Sequence, residues 1–107
     1  MATYLANTFS PSMLAPGTVA TVRECTLTEI PENAVSIVSH ELTAAHFSVL
    51  LGRHIAFNRV NVTLKPGDTL FAILLQFRPE TSREFTREEI EKAGVRVFRV
   101  DVLAGNQ

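Results

Sequence analysis

The chain has 107 residues, 46% hydrophobic and 20% charged, which fits one compact domain over residues 1–107 and excludes a disordered chain or a pair of domains. Its one cysteine, Cys25, excludes an intrachain disulfide and a multi-cysteine metal cluster. Ten basic and eleven acidic residues leave a net charge of −1, which argues against a protein that holds duplex DNA by bulk electrostatics.

In chain order, residues 3–9 form a β-branched and aromatic run that predicts a strand, stopped at Ser10-Pro11, where serine caps a helical turn whose first position is proline. After Pro16-Gly17, residues 18–27 place Val19, Val22 and Leu27 among threonines and charges, predicting a strand with one wet face. Residues 34–38 are a short β-branched strand. Ser39 then reads as the N-cap of a helix over residues 40–51, closed by Gly52 and apolar enough around its circumference to be buried on two sides. Residues 57–64 alternate and lead through Lys65-Pro66-Gly67-Asp68 into the continuous apolar run 69–77, so a hairpin with a central second arm is expected. Thr86 and Glu89 make a capping box for a helix ending at Gly94, and residues 95–103 are the last strand. The expectation is an α/β fold: a single-domain mixed β-sheet of about five strands flanked by helices.

Motifs for nucleotide or metal chemistry are absent: no Walker loop, no dinucleotide fingerprint, no nucleophile elbow. His40 and His46 stand six apart, about 240° round a helix, which argues against a shared metal, and no cofactor is expected. No run reaches the roughly 18 apolar residues of a membrane span, and the first residues lack the regions of a signal peptide. A cytoplasmic protein with no membrane partner is therefore expected.

His40, at a helix start, stands where unpaired N–H groups favour an anion, so it reads either as part of a phosphate site or as a residue closing the helix. Ser10, beside a strand end, has the same two readings. Arg59 on a predicted strand and Arg78 at the end of the buried one are each either a bidentate phosphate ligand or a solvated or carboxylate-paired cation. His46 reads as a core residue of the helix and His54 as a loop residue. The charged run from Arg83 to Lys92 reads as a wet helix face.

Tyr4-Leu5-Ala6-Asn7-Thr8-Phe9-Ser10, Ser39-His40 with Thr43-Ala44 and Leu50-Leu51-Gly52, and Asn58-Arg59-Val60 with Lys65-Pro66-Gly67-Asp68 resemble, in order and spacing, one small family. Found in archaeal viruses, phages and some bacteria, it includes the type III anti-CRISPR ring nucleases. The resemblance covers nearly the whole chain. It implies a homodimer that binds cyclic tetra-adenylate, the messenger of type III CRISPR systems, and cuts it without metal, in the host cytoplasm if the gene is viral. Carried over by residue, it makes His40 the catalytic histidine and Asn7, Ser10, Arg59 and Arg78 ligand contacts. Where the family commonly has glutamate three residues after that last arginine, this chain has Thr81, with Glu80 one earlier as the candidate acid. Where the family commonly has glycine before the histidine, this chain has Ser39, whose hydroxyl is expected to cap the helix or touch the ligand. Gln76, two before Arg78 on the same strand face, is a candidate reader of adenine or ribose. The competing expectation is a non-catalytic module that binds a cyclic oligoadenylate or a nucleic acid, duplex DNA being disfavoured by the net charge.

Overall fold

The computed structural model describes residues 1–76 and 86–104. In chain order its elements are β1 (Thr3–Ala6), a 3-10 turn at Pro11–Met13, β2 (Val19–Cys25), a 3-10 turn at Leu27–Glu29, β3 (Val35–Ser36), helix α1 (Glu41–Leu51), β4 (Thr69–Leu75), helix α2 (Arg87–Ala93) and β5 (Val95–Ala104). The strands form one five-stranded mixed sheet in the order β2-β5-β4-β1-β3. β1 pairs in parallel with both β3 and β4, while β5 pairs antiparallel with β4 and β2.

β4 is central because its sequence permits nothing else: Leu70, Phe71, Ala72 and Ile73 are consecutive and all buried, which requires cover on both faces. Alternation divides them. Phe71 and Ile73 join Leu5 and Val97 under Ala44, Phe47 and Leu50 of α1 and Ile90 of α2. Leu70 and Ala72 join Ala6, Val100 and Val102 on the other face, covered by Ile37 and Leu64, by Phe9 and Val62, and by Met13 of the first 3-10 turn. Both helices therefore lie on one side of the sheet, and loops cover the other. Burying a side chain the size of Phe47, which is wholly inaccessible, contributes about 1.5–3 kcal/mol.

Four local expectations change. The hairpin of residues 57–64 with 69–77 is not formed: Phe57 and Leu64 make only isolated parallel bridges, to Val38 and Leu14. Both edges of β4 are already occupied, by β1 and β5, so the alternating segment has no edge to join. It buries only Leu64 fully, with Val62 packed beside it. The helix is capped by His40 rather than Ser39 and begins at Glu41. Nor is it buried on two sides. Ala44, His46, Phe47 and Leu50 are buried, whereas Val49 is 39% exposed, because only one face of α1 meets the sheet. β2, expected to have one wet face, is an outer strand with only Ala20 and Cys25 half-buried.

Other sequence signals hold where expected. Ser10 caps the first turn, with Pro11 at its first position. Gly52 ends α1 in the left-handed region at φ 66°, where a side chain would be strained. Thr86 and Glu89 form the capping box of α2. The turn of residues 65–68 is closed by Asp68, whose carboxylate accepts from the Lys65 and Ala2 N–H groups at 2.9 Å each.

Candidate functional site

The parallel pair β1 and β3 end side by side, and the chain leaving each carries the polar residues singled out in the sequence. Asn7 follows the last residue of β1 and Ser39 lies three beyond β3. The Asn7 side-chain oxygen accepts the Ser39 N–H at 3.2 Å and the Ser39 hydroxyl at 3.4 Å. A backbone N–H can only donate, so this contact fixes the carboxamide orientation and turns the Asn7 Nδ2 donors away from Ser39. It also accounts for the Ser39 hydroxyl, which neither caps α1 nor is free to donate to a ligand. His40 then caps α1 with its backbone alone. Its imidazole makes no capping bond and is exposed.

Asn7, Ser10 and Ser39 line one cleft of about 380 Å³ on the helix-free side of the sheet, above Ala6 and Ile37. Ser10 is held by its capping role, its hydroxyl 2.9 Å from that of Ser12 and 3.4 Å from the Ser12 N–H. The opposite wall comes from residues 60–63, pinned at both ends. Asn58 donates its N–H to Val38 at 2.9 Å and its Nδ2 to Ser36 at 3.0 Å, and the Leu64 N–H donates to Met13 at 2.7 Å.

The sequence-derived residues thus separate. Asn7, Ser10 and Ser39 come together, and His40 follows directly on one of them. Arg59 adjoins the wall through Val60. It lies on irregular chain rather than a strand, is exposed, and has no hydrogen-bond or ion-pair partner among the described residues. Gln76 is elsewhere: its N–H donates to Gly94 at 2.9 Å where α2 turns into β5, and it does not line the cleft. Arg78, Glu80 and Thr81 lie outside the described residues. His46 is buried in α1 and His54 is exposed beyond its end. Sequence reasoning missed Thr8, Ser12, Asn61 and Thr63, all on the cleft. The last two belong to the polar half of the alternation over residues 57–64, which the sequence presents only as one arm of a hairpin.

Displaced protonation equilibria lie at the other edge of the sheet. The hydrogen bond from Arg96 holds Glu24 below the usual carboxylate range, Arg23 does the same for Glu29, and burial raises the Cys25 thiol. Among the described residues no three His, Cys, Asp or Glu side chains converge as a metal site would require, and no helix is long and apolar enough to cross a membrane.

The family model for STIV B116-like proteins matches residues 3–97. The chain belongs to the STIV B116-like family. It is 31% identical over 100 residues to the ORF116 protein of Acidianus filamentous virus 1, covering 86% of this chain and 84% of that one. It is 33% identical over 73 residues to protein 26 of Sulfolobus islandicus filamentous virus, covering 67% of this chain but only 62% of the relative's length. Among solved structures, B116 of Sulfolobus turreted icosahedral virus has the same fold, with a TM-score of 0.83 over 94% of this chain and 99% of that one at 21% identity. These STIV B116-like relatives are all proteins of archaeal viruses.

Proposed function

We propose that the protein is a metal-independent ring nuclease that binds cyclic tetra-adenylate as a homodimer and cuts it to di-adenylates ending in 2′,3′-cyclic phosphate, silencing type III CRISPR signalling. The observation that carries this reading is the cleft. Two chain segments, one leaving β1 and one leaving β3, bring Asn7, Ser10 and Ser39 to one hollow, and the exposed His40, whose side chain makes no capping bond, directly follows Ser39.

The chemistry suits these groups. An RNA ring supplies its own nucleophile: the ribose 2′-oxygen attacks the adjacent phosphorus, its proton passes to solvent, and the bond from phosphorus to the 5′-oxygen breaks. The protein has to hold the reacting atoms in line and give the departing oxygen a proton. In this reading His40 is the general acid, worth typically about 10²- to 10⁴-fold. The Asn7 Nδ2 donors, Ser10 and Arg59 hold phosphate oxygens, Arg59 as the full positive charge, and Arg78 and Glu80 keep the ligand roles that the resemblance gives them.

A four-fold repetitive ring contains a two-fold axis, so a two-fold dimer presents two copies of His40 to opposite phosphates.

The test is incubation of purified protein with radiolabelled cyclic tetra-adenylate in excess chelator, with His40→Ala in parallel. Di-adenylate cyclic phosphates that vanish in the variant are expected. An intact ring retained by both proteins would replace the nuclease with a messenger-sequestering module, and neither cutting nor binding would overturn both.

A further inference from the structure

We infer that Asn61 reads the adenine base, accepting from its N6 amino group and donating to N7. The assignment rests on the ring-nuclease reading and deepens it, since phosphates and riboses are alike in every ring and only a base contact makes the site selective for adenine. That edge of adenine presents a donor beside an acceptor, and a carboxamide matches both at once. Two carboxamides line the cleft, those of Asn7 and Asn61. Asn7 has its oxygen committed to Ser39 and keeps only donors for a ligand. The Ser10 and Ser12 hydroxyls are bonded to each other, and a hydroxyl cannot span both positions as an amide does.

Asn61 has no hydrogen-bond partner among the described residues and is exposed at the cleft. Its backbone is nonetheless fixed. Asn58 is tied to Val38 and Ser36 on one side of it and Leu64 to Met13 on the other, and the next residue, Val62, packs on the core. With the backbone anchored, only the two side-chain torsions of Asn61 remain to be ordered on binding. Arg59, two residues earlier on the same wall, would take the neighbouring phosphate.

The experiment measures equilibrium binding in the His40→Ala background, so that no ring is consumed. The ligands are cyclic tetra-adenylate and the same ring built from 7-deazaadenosine, which lacks only the N7 acceptor. With Asn61 intact, the deaza ring should bind roughly tenfold more weakly, the order expected of a base-edge contact. Asn61→Ala should bind the adenine ring roughly tenfold more weakly and no longer distinguish the two rings, with a thermal midpoint unchanged because the side chain is exposed and unpartnered. Tight binding by Asn61→Ala with discrimination retained overturns the assignment and leaves the ring-nuclease reading standing. No binding of either ring with Asn61 intact overturns both.

Discussion

The side-chain oxygen of Asn7 is a double acceptor for Ser39, taking its N–H at 3.2 Å and its hydroxyl at 3.4 Å, so the end of β1 sets where the chain enters α1 and hence where His40 stands. Asn7→Ala removes the acceptor for both and leaves a half-buried N–H unsatisfied, a cost of about 1–3 kcal/mol. Ser39→Ala removes only the weaker bond. Under the proposed mechanism, Asn7→Ala should slow single-turnover cleavage by about 10²-fold, because it displaces the acid and removes the Nδ2 phosphate donors together, while Ser39→Ala stays near the unmutated rate. Equal losses in the two variants would count against the positioning role.

Arg59 offers a test of the phosphate contacts. It is the exposed guanidinium beside the cleft wall, without a partner among the described residues. Arg53, by contrast, donates to the Pro31 carbonyl at 3.0 Å, in a hollow of its own with Leu50 and Leu51. Arg59→Ala should weaken binding of cyclic tetra-adenylate and flatten the slope of log affinity against log salt by about 0.7, the value for one single-strand phosphate contact. Arg53→Ala should leave that slope alone. A salt series with both variants decides it.

Much of the fold was written locally. Ser10-Pro11, Thr86 with Glu89, Gly52 and the buried run of β4 each specify their structure through contacts within a few residues or through continuous apolarity, and all four formed as read. The hairpin failed because alternation in residues 57–64 reports which side chains face the core and not which strand edge is vacant. That edge was taken by β1, from the far end of the sequence. The same limit governs the site. Ser10 and Ser39 each carry a local signal at a helix start and Asn7 only the family resemblance, but that they share a cleft follows from the parallel pairing of β1 with β3 across more than thirty residues, and that Asn61 and Thr63 form its other wall follows from the isolated bridges to Val38 and Leu14.

Gly52 and Gly67 separate backbone strain from crowding. Gly52 has φ 66° and nothing within 4 Å of an added Cβ, whereas at Gly67, with φ 92°, that Cβ would come within 2.7 Å of the Met1 side chain. Gly52→Ala should cost about 1–2 kcal/mol, the penalty of the left-handed region alone, and lower the melting temperature by several degrees. Gly67→Ala adds a clash with an exposed, flexible side chain that can swing away, so its midpoint should fall only slightly further. Differential scanning calorimetry of the two variants checks the ordering.

Cys25 predicts an alkaline limit to stability. Burial raises its thiol above the ordinary range, with Glu29 adding to the effect and Arg23 opposing it. A group with a folded pKa above its unfolded value contributes stability in full below the unfolded value, about 8.5 for a thiol. That contribution is lost as pH rises through the folded value, because the unfolded chain then releases its proton first. Stability toward denaturant should therefore fall, as pH rises above the unfolded thiol value of about 8.5, more for the unmutated protein than for Cys25→Ala. The carboxylates respond at the other end of the scale: Glu24 and Glu29, lowered by Arg96 and Arg23, contribute above the unfolded carboxylate range, and that contribution fades on acidification. Iodoacetamide labelling gives an independent readout, since the thiolate is the reacting species. Cys25 in the folded protein should label more slowly at pH 8 than in the unfolded chain, with a rate still climbing at pH values where the unfolded thiol has levelled off. Equal folded and unfolded labelling profiles would show that burial does not govern this thiol.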